Sequence, residues 1–229
     1  MHRLPTVNGA DEQSQGEGGL PRLPPGRHGL PREFVIQNQR ERLAAGLIAA
    51  VAERGYRATT ISDIAAAAGV SRRTFYGYFK TKGECFADTY ERVAAFLLET
   101  MAEASEGERG WNAKVRARLE ALVGVLAANP DLVRFALAAP PAAGGEVAAR
   151  YRDLLDRLLV AFREGRPKNL RRPSEAAEHG IVGALAALLV EKVASGEGER
   201  LPDLLPDLVE LVLTPYIGRE PALKVAGRT

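Results

Sequence analysis

The chain is predicted to fold entirely as α-helices. Its composition favours Ala, Leu, Arg and Glu over aromatic residues, which make up only 6%. Apolar residues recur near a 3.6-residue period along most of its length. No segment alternates β-branched with polar side chains as a half-buried strand would. At 229 residues it is long enough for a small module and a larger body.

Residues 1–30 are rich in Gly, Pro, Gln and Ser, lack periodicity, and are expected to form a disordered arm. A first helix begins at Phe34, with Ile36, Leu43, Leu47, Ile48 and Val51 on its apolar face and Gly55 as its stop. Thr60 and Asp63 bracket the start of a second helix, with Ile61 and Ile64 on its inner face and alanines 65–68 small enough for close packing. Gly69 marks a sharp turn, and Ser71 is placed to cap a short third helix. A long fourth helix spans about 81–105, with Phe86, Tyr90, Val93, Leu97 and Met101 as its apolar stripe, and residues 105–110 end it. Further helices are expected at 112–128, at 130–138 with Pro130 in its first turn, at 146–164, at 174–195 and at 202–216; 140–145 reads as a breaker. The total is about nine helices. The implied domains are the arm (1–30), a three-helix module (31–80), a helical body (81–218) and a C-terminal tail (219–229).

The net charge of +2 conceals an uneven distribution. Residues 31–82 carry nine Lys/Arg against four Asp/Glu, whereas residues 83–229 carry nineteen against twenty-two. A basic module on a mildly acidic body suits a polyanionic partner for the module. Cys85 is the only cysteine, so no intramolecular disulfide forms and no zinc-ligand spacing exists, which points to a reducing, cytoplasmic setting. No signal-peptide core is found in 1–30, and the longest apolar run, 181–190, falls short of a membrane span. No Ser/His/Asp, Cys/His or metal-ligating constellation is present. We therefore expect no enzyme activity, no cofactor, no bound metal and no membrane partner.

The densest information lies in residues 59–86, TTISDIAAAAGVSRRTFYGYFKTKGECF. Two short helices around Gly69 make a helix-turn-helix, whose second helix enters the DNA major groove. Arg72 and Arg73 lie at the N-terminal end of that helix, the end that meets base edges. Either could bond guanine O6 and N7 in bidentate fashion. Phe75 and Phe79 are assigned to the core. Arg22, Arg27 and Arg32 in or beside the arm could reach a minor groove, although an unbound tail is the preferred reading there.

This stretch resembles the DNA-binding domain of the TetR (tetracycline repressor) family of bacterial transcription regulators. The matching features are the Thr-Thr helix start, Ile-x-x-Ile-Ala, Ala-Gly-Val-Ser, Thr-Phe-Tyr, Tyr-Phe and Lys-x-x-x-Cys-Phe. The resemblance covers residues 34–90 closely. It implies base or phosphate contacts by Thr74, Tyr76 and Tyr78, and phosphate contacts by Lys82 and Thr60, beside Ser71, Arg72 and Arg73. Gly77 departs from the larger residue usual between the two aromatics, so no contact is carried over to it.

The resemblance further implies a body that binds a small effector and pairs two subunits. Candidate pocket residues are Phe96, Met101, Trp111, Leu122, Phe135, Tyr151 and Phe162. The last two helices carry broad apolar surfaces that a second copy would cover, with Ile181, Ala184, Leu185, Leu188, Leu204, Leu208 and Leu211 as the expected homodimer contacts; burial wholly within the subunit is the alternative reading. His179 reads as a surface or interface histidine, Cys85 as a small buried hydrophobe, and the basic loop 166–172 as solvated. The expected function is a dimeric regulator, a repressor, that binds a pseudopalindromic double-stranded operator. A small apolar or amphipathic effector would release it. A rival reading keeps the DNA-binding unit but places control with a protein partner or the protein's own level.

Overall fold

A computed structural model of the chain describes residues 32–228. The arm, with Arg22 and Arg27, lies outside the described residues, as does the side chain of Arg32. Among the described residues every regular element is helical, and no single helix is long and apolar enough to cross a membrane. The fold separates into two compact units, Met1–Thr89 and Tyr90–Thr229. The division falls inside a helix.

In the first unit, α1 (Arg32–Ala58) loses helical geometry at Gly55, where φ is 75°. Thr59, buried just after it, caps that end: its hydroxyl lies 3.1 Å from the Ala50 carbonyl and 2.8 Å from that of Gly55. Next, α2 (Ile61–Ala67) opens on a capping box in which Thr60 and Asp63 satisfy each other's backbone N–H groups. Gly69, at φ 61°, turns the chain into α3 (Arg72–Tyr76), a helix of five residues. Finally, α4 (Lys82–Ser105) begins here, and its residues Cys85 and Phe86 are fully buried in this unit.

The closest approach in the unit lies between α1 and α2. A Cβ added to Gly46 would sit 2.6 Å from the Ala68 amide nitrogen and 2.8 Å from the Ile64 carbonyl oxygen. Only glycine lets α1 lie directly on the backbone of α2, which is why α2 in turn presents Ala65 and Ala68 as its buried face. Leu43, Leu47, Ile64 and Phe75 fill the core on either side of that contact.

The second unit continues α4 with the buried residues Tyr90, Val93, Leu97 and Met101. It adds α5 (Trp111–Ala128), α6 (Pro130–Ala143), α7 (Gly145–Arg163), α8 (Glu175–Ala194), a 3-10 turn (Gly198–Leu204), α9 (Leu205–Ile217) and α10 (Arg219–Ala226). Asn129 leaves helical geometry before Pro130 (φ −139°, ψ 71°), and α6 is bent by 108° from α5.

Three expectations are corrected by the body. Residues 140–143 do not break the helix. Arg134–Ala138 widen into a π turn, with the Ala139 N–H bonded to the Arg134 carbonyl, so Pro140 enters at the start of a fresh helical segment where no N–H is needed. The Ala136 carbonyl, facing prolines both four and five residues on, accepts instead from the Tyr90 hydroxyl at 2.9 Å. Burial pushes the Tyr90 phenol well above its ordinary pKa, so it remains a donor. The expected C-terminal tail is also ordered: α10 buries Ala222 and Ala226, its small residues packing against α9.

The body also holds a buried charge. Glu178, 5% exposed, accepts from the Tyr216 hydroxyl at 2.7 Å and from Arg166 at 3.2 Å, and pairs with Arg163. Burial works to raise its pKa, but these partners outweigh it and hold the carboxyl below its usual range. Arg166 is thus not solvated as the basic-loop reading expected, since Glu178 claims it. His179 is exposed, its ring nitrogens 2.8 Å from the Glu175 carbonyl and 3.1 Å from Asp156.

Gly46→Ala provides a test of opposite sign from helix propensity. In an open helix this change stabilises by roughly 0.5–1 kcal/mol. Here overpacking is expected to destabilise the first unit by about 1–3 kcal/mol. Amide exchange in α2 and α3 reads the result, and protection equal to or above the parent's would contradict the close approach.

Candidate nucleic-acid interface

The third helix owes its position to its buried side and its turn. Phe75 is fully buried and Phe79 nearly so, their rings 5.9 Å apart. These two residues anchor a helix too short to be stable alone. Ser71 caps it, accepting from the Thr74 N–H at 3.0 Å and sharing a 2.9 Å hydrogen bond with the Thr74 hydroxyl. On α1, Arg42 is buried and donates from Nη2 to the Gly69 carbonyl at 2.8 Å, which ties the turn itself to the first helix.

With Phe75 held inward, Arg72, Arg73 and Tyr76 project outward. Tyr76 is 50% exposed, unusual for a large ring beside a phenylalanine core. Thr74 and Tyr78 are half-buried. Neither Arg72 nor Arg73 has a carboxylate partner among the described residues. Arg73, Ser71, Thr74, Gly77 and Tyr78, with Ile36 and Arg40 of α1, line an open cleft of about 780 Å³ that contains no acidic side chain. Arg40 is exposed, its guanidinium 5.9 Å from the Phe79 ring centre. Sequence reasoning missed it. The signal was its spacing of four from Ile36, which puts both on one face of α1; that this face borders α3 is visible only in three dimensions.

Gly77 keeps ordinary helical geometry (φ −71°, ψ −18°), so its backbone does not require glycine. Its N–H still bonds the carbonyls of Arg73 and Thr74, at 3.1 and 3.0 Å. The missing side chain leaves the cleft open at that point.

Two residues expected to touch phosphate have other work in this structure. The Thr60 hydroxyl donates to Asp63 at 2.7 Å and its N–H donates to the same carboxylate at 2.8 Å, leaving no donor for a phosphate. The Thr60 hydrogen bonds hold the Asp63 carboxyl below its usual pKa, and this anion would itself repel a phosphate. The Lys82 ammonium donates to the carbonyls of Tyr56 and Thr59, both at 2.7 Å, and lies 4.4 Å from the Tyr56 ring centre. Burial lowers its pKa. It fastens the start of α4 to the broken end of α1, with one N–H left over.

A family model described as bacterial regulatory proteins, tetR family, matches residues 45–89. The chain carries the DNA-binding domain of the TetR family. Solved structures agree in fold over most of the chain. The fatty acid degradation regulator FadR from Bacillus halodurans is 19% identical, with a TM-score of 0.67 over 76% of this chain and 94% of that one. FadR from Bacillus subtilis, solved in complex with stearoyl-CoA, is 19% identical, with a TM-score of 0.64 over 76% and 97%. A TetR-like transcriptional regulator from Rhodococcus is 25% identical, with a TM-score of 0.59 over 81% and 97%. Comparison with curated protein sequences gave no match. Residues 45–89 thus match the DNA-binding domain of the TetR family, and the helical body shares its fold with solved TetR-like regulators.

The body residues named from sequence are distributed as follows. Met101, Trp111, Leu122, Phe135 and Phe162 are buried, whereas Phe96 and Tyr151 are half-buried. Only Trp111 among them lines a second cleft, at the start of α5. Of the expected dimer contacts, Leu185 and Leu208 are taken by the subunit's own core and Ile181 is 8% exposed. Ala184, Leu188, Leu204 and Leu211 stay partly open.

Lys82→Met preserves the stem and removes the two carbonyl bonds. It is expected to lower the unit's stability by about 1–3 kcal/mol, the cost of two carbonyls losing a charged donor. Faster amide exchange around Thr59 and the start of α4 would register this. Unaltered exchange together with weaker DNA binding would instead return Lys82 to the phosphate contacts.

Proposed function

We propose that this TetR-family regulator is a repressor that binds a pseudopalindromic operator as a homodimer. In this reading α3 lies in the major groove, with Arg72 and Arg73 on base edges. Thr74, Tyr76, Tyr78 and the capped end at Ser71 face phosphates, and Arg40 of α1 adds a cation to the same surface. The observation that carries it is the acid-free cleft beside an outward face of two unpaired arginines and an exposed tyrosine. Thr60 and Lys82 stand outside this set, since Asp63 and two backbone carbonyls already engage them.

Residues 31–80 are assigned to DNA binding, and the larger helical body to pairing and ligand sensing. For pairing, α8 offers a stripe of small residues: a Cβ at Gly180 or Gly183 would meet nothing within 4 Å, and Ala187 is exposed. A second copy covering this stripe with the open edges of Leu188, Leu204 and Leu211 would form a four-helix interface. The small-molecule control is supported by the stearoyl-CoA complex of the Bacillus subtilis structure. An effector releases DNA only if it binds more tightly to the conformer whose recognition helices are wrongly spaced.

DNA selected from random sequence by the purified protein should yield half-sites about 34–36 Å apart. Against the selected site, Arg73→Ala is expected to relax preference at one base pair per half-site by about 1–3 kcal/mol. Arg40→Ala should instead weaken all sequences alike and reduce the salt slope by about 1 for each phosphate left without its arginine. Unchanged affinity in both variants would remove this face from the interface.

A further inference from the structure

The second unit contains a cleft of about 440 Å³ between the start of α5, the loop after α7, and the ends of α9 and α10. That volume falls within the roughly 300–1,000 Å³ of ordinary small-ligand sites. Its wall combines two chemistries. Trp111, Leu170, Ile217 and Val225 supply apolar surface, and Arg109 and Arg116 supply charge. No acidic residue lines it, although the body as a whole is mildly acidic.

The two arginines are set apart from most arginines of the body. Arg118, Arg134, Arg157, Arg163, Arg166, Arg200, Arg219 and Arg228 each have a carboxylate partner. Arg109 and Arg116 have none among the described residues. Arg116 is held in place by one bond, Nη1 to the Val225 carbonyl at 2.9 Å, which leaves its other guanidinium donors available. Arg109 is exposed.

The apolar side is equally prepared. The Trp111 N–H donates to the Phe162 carbonyl at 2.7 Å, so the indole has only ring surface to offer. Tyr216 packs edge-on against it at 5.1 Å and is locked by its bond to Glu178. Leu170, Ile217 and Val225 remain half-buried, leaving branched hydrocarbon open to the cleft. Apolar walls with a few convergent polar groups are the usual composition of a ligand site.

We propose that this cleft binds an amphipathic organic anion. Its hydrocarbon part rests on Trp111, Leu170 and Ile217, and its carboxylate or phosphate is held by Arg109 and Arg116. Guanidinium groups bind both anions through paired N–H donors. The proposal rests on the reading of the body as a ligand sensor and gives that sensor a place and a ligand class.

The chain has one tryptophan, so selectively excited indole emission comes from Trp111 at the wall of this cleft. Titration of the full-length protein with decanoate, below its micelle-forming concentration, is expected to shift Trp111 emission saturably. Decyltrimethylammonium should bind at least tenfold more weakly. This charge preference is read in the parent protein and does not depend on a variant folding. The double variant Arg109→Gln, Arg116→Gln should lose at least tenfold in decanoate affinity while its affinity for decanol is unchanged. A parallel titration with decanoyl-CoA distinguishes the head groups, the tighter binder naming the source of the anion. Binding by neither, or equal binding of decanoate and decyltrimethylammonium, overturns the proposal.

Operator affinity measured in the same titrations separates the two readings. Saturation at Trp111 without DNA release supports the cleft and contradicts its role as the sensor. DNA release that leaves Trp111 unchanged, and that is identical in the double variant, supports a sensor elsewhere and overturns this site.

Discussion

Everything the DNA-binding unit presents outward depends on the contact of α1 with the backbone of α2 at Gly46. There the helices meet with no room for a methyl group, and the contact fixes how far Ala68 and the turn beyond it stand from α1. Arg42, one turn earlier, reaches the carbonyl of Gly69 from the same helix. The five-residue α3 has no stability of its own to contribute. Its orientation is inherited from that turn and from Phe75 and Phe79 beneath it. The outward arginines are therefore placed by a glycine and a buried arginine that touch nothing outside the protein.

The body solves a different problem, that of burying polar groups among alanine and leucine. Prolines 140 and 141 deny the Ala136 carbonyl its normal donor, and the Tyr90 hydroxyl replaces it. Glu178 is buried yet ionised because two arginines and a tyrosine hydroxyl surround it. That cluster orients Tyr216, and Tyr216 in turn packs against Trp111 at the wall of the acid-free cleft. A buried ion pair here thus acts more as a positioning device than as a source of stability.

Much of the helical plan was legible because it rests on local chemistry. The caps at Thr60 and Ser71, the positive-φ turn at Gly69 and the apolar stripe of α4 are all written in neighbouring residues. The recognition helix was legible for the same reason, with Phe75 and Phe79 four residues apart on the buried face and Arg73 and Tyr76 on the exposed one. What was not legible depended on distant partners. Periodicity cannot reveal that Lys82 meets the carbonyls of Tyr56 and Thr59, or that Arg40 borders Arg73. It also read two prolines as a break because it cannot foresee a π turn ahead of them. In α8, apolar on nearly every side, it could not tell Leu185, which the core takes, from Ala187, which stays outside. The tail at 219–226 lacked a strong stripe because α10 packs through alanines.

Helix α1 sets the pose of the recognition helix through the turn. Arg42→Gln addresses this most directly, with amide exchange at Val70 and Phe75 followed beside operator affinity. Faster exchange at both amides and weaker binding to every sequence are expected, with base preference intact because Arg72 and Arg73 are untouched. Parent-like exchange and affinity would contradict it, and would mean that the recognition helix takes its orientation from elsewhere.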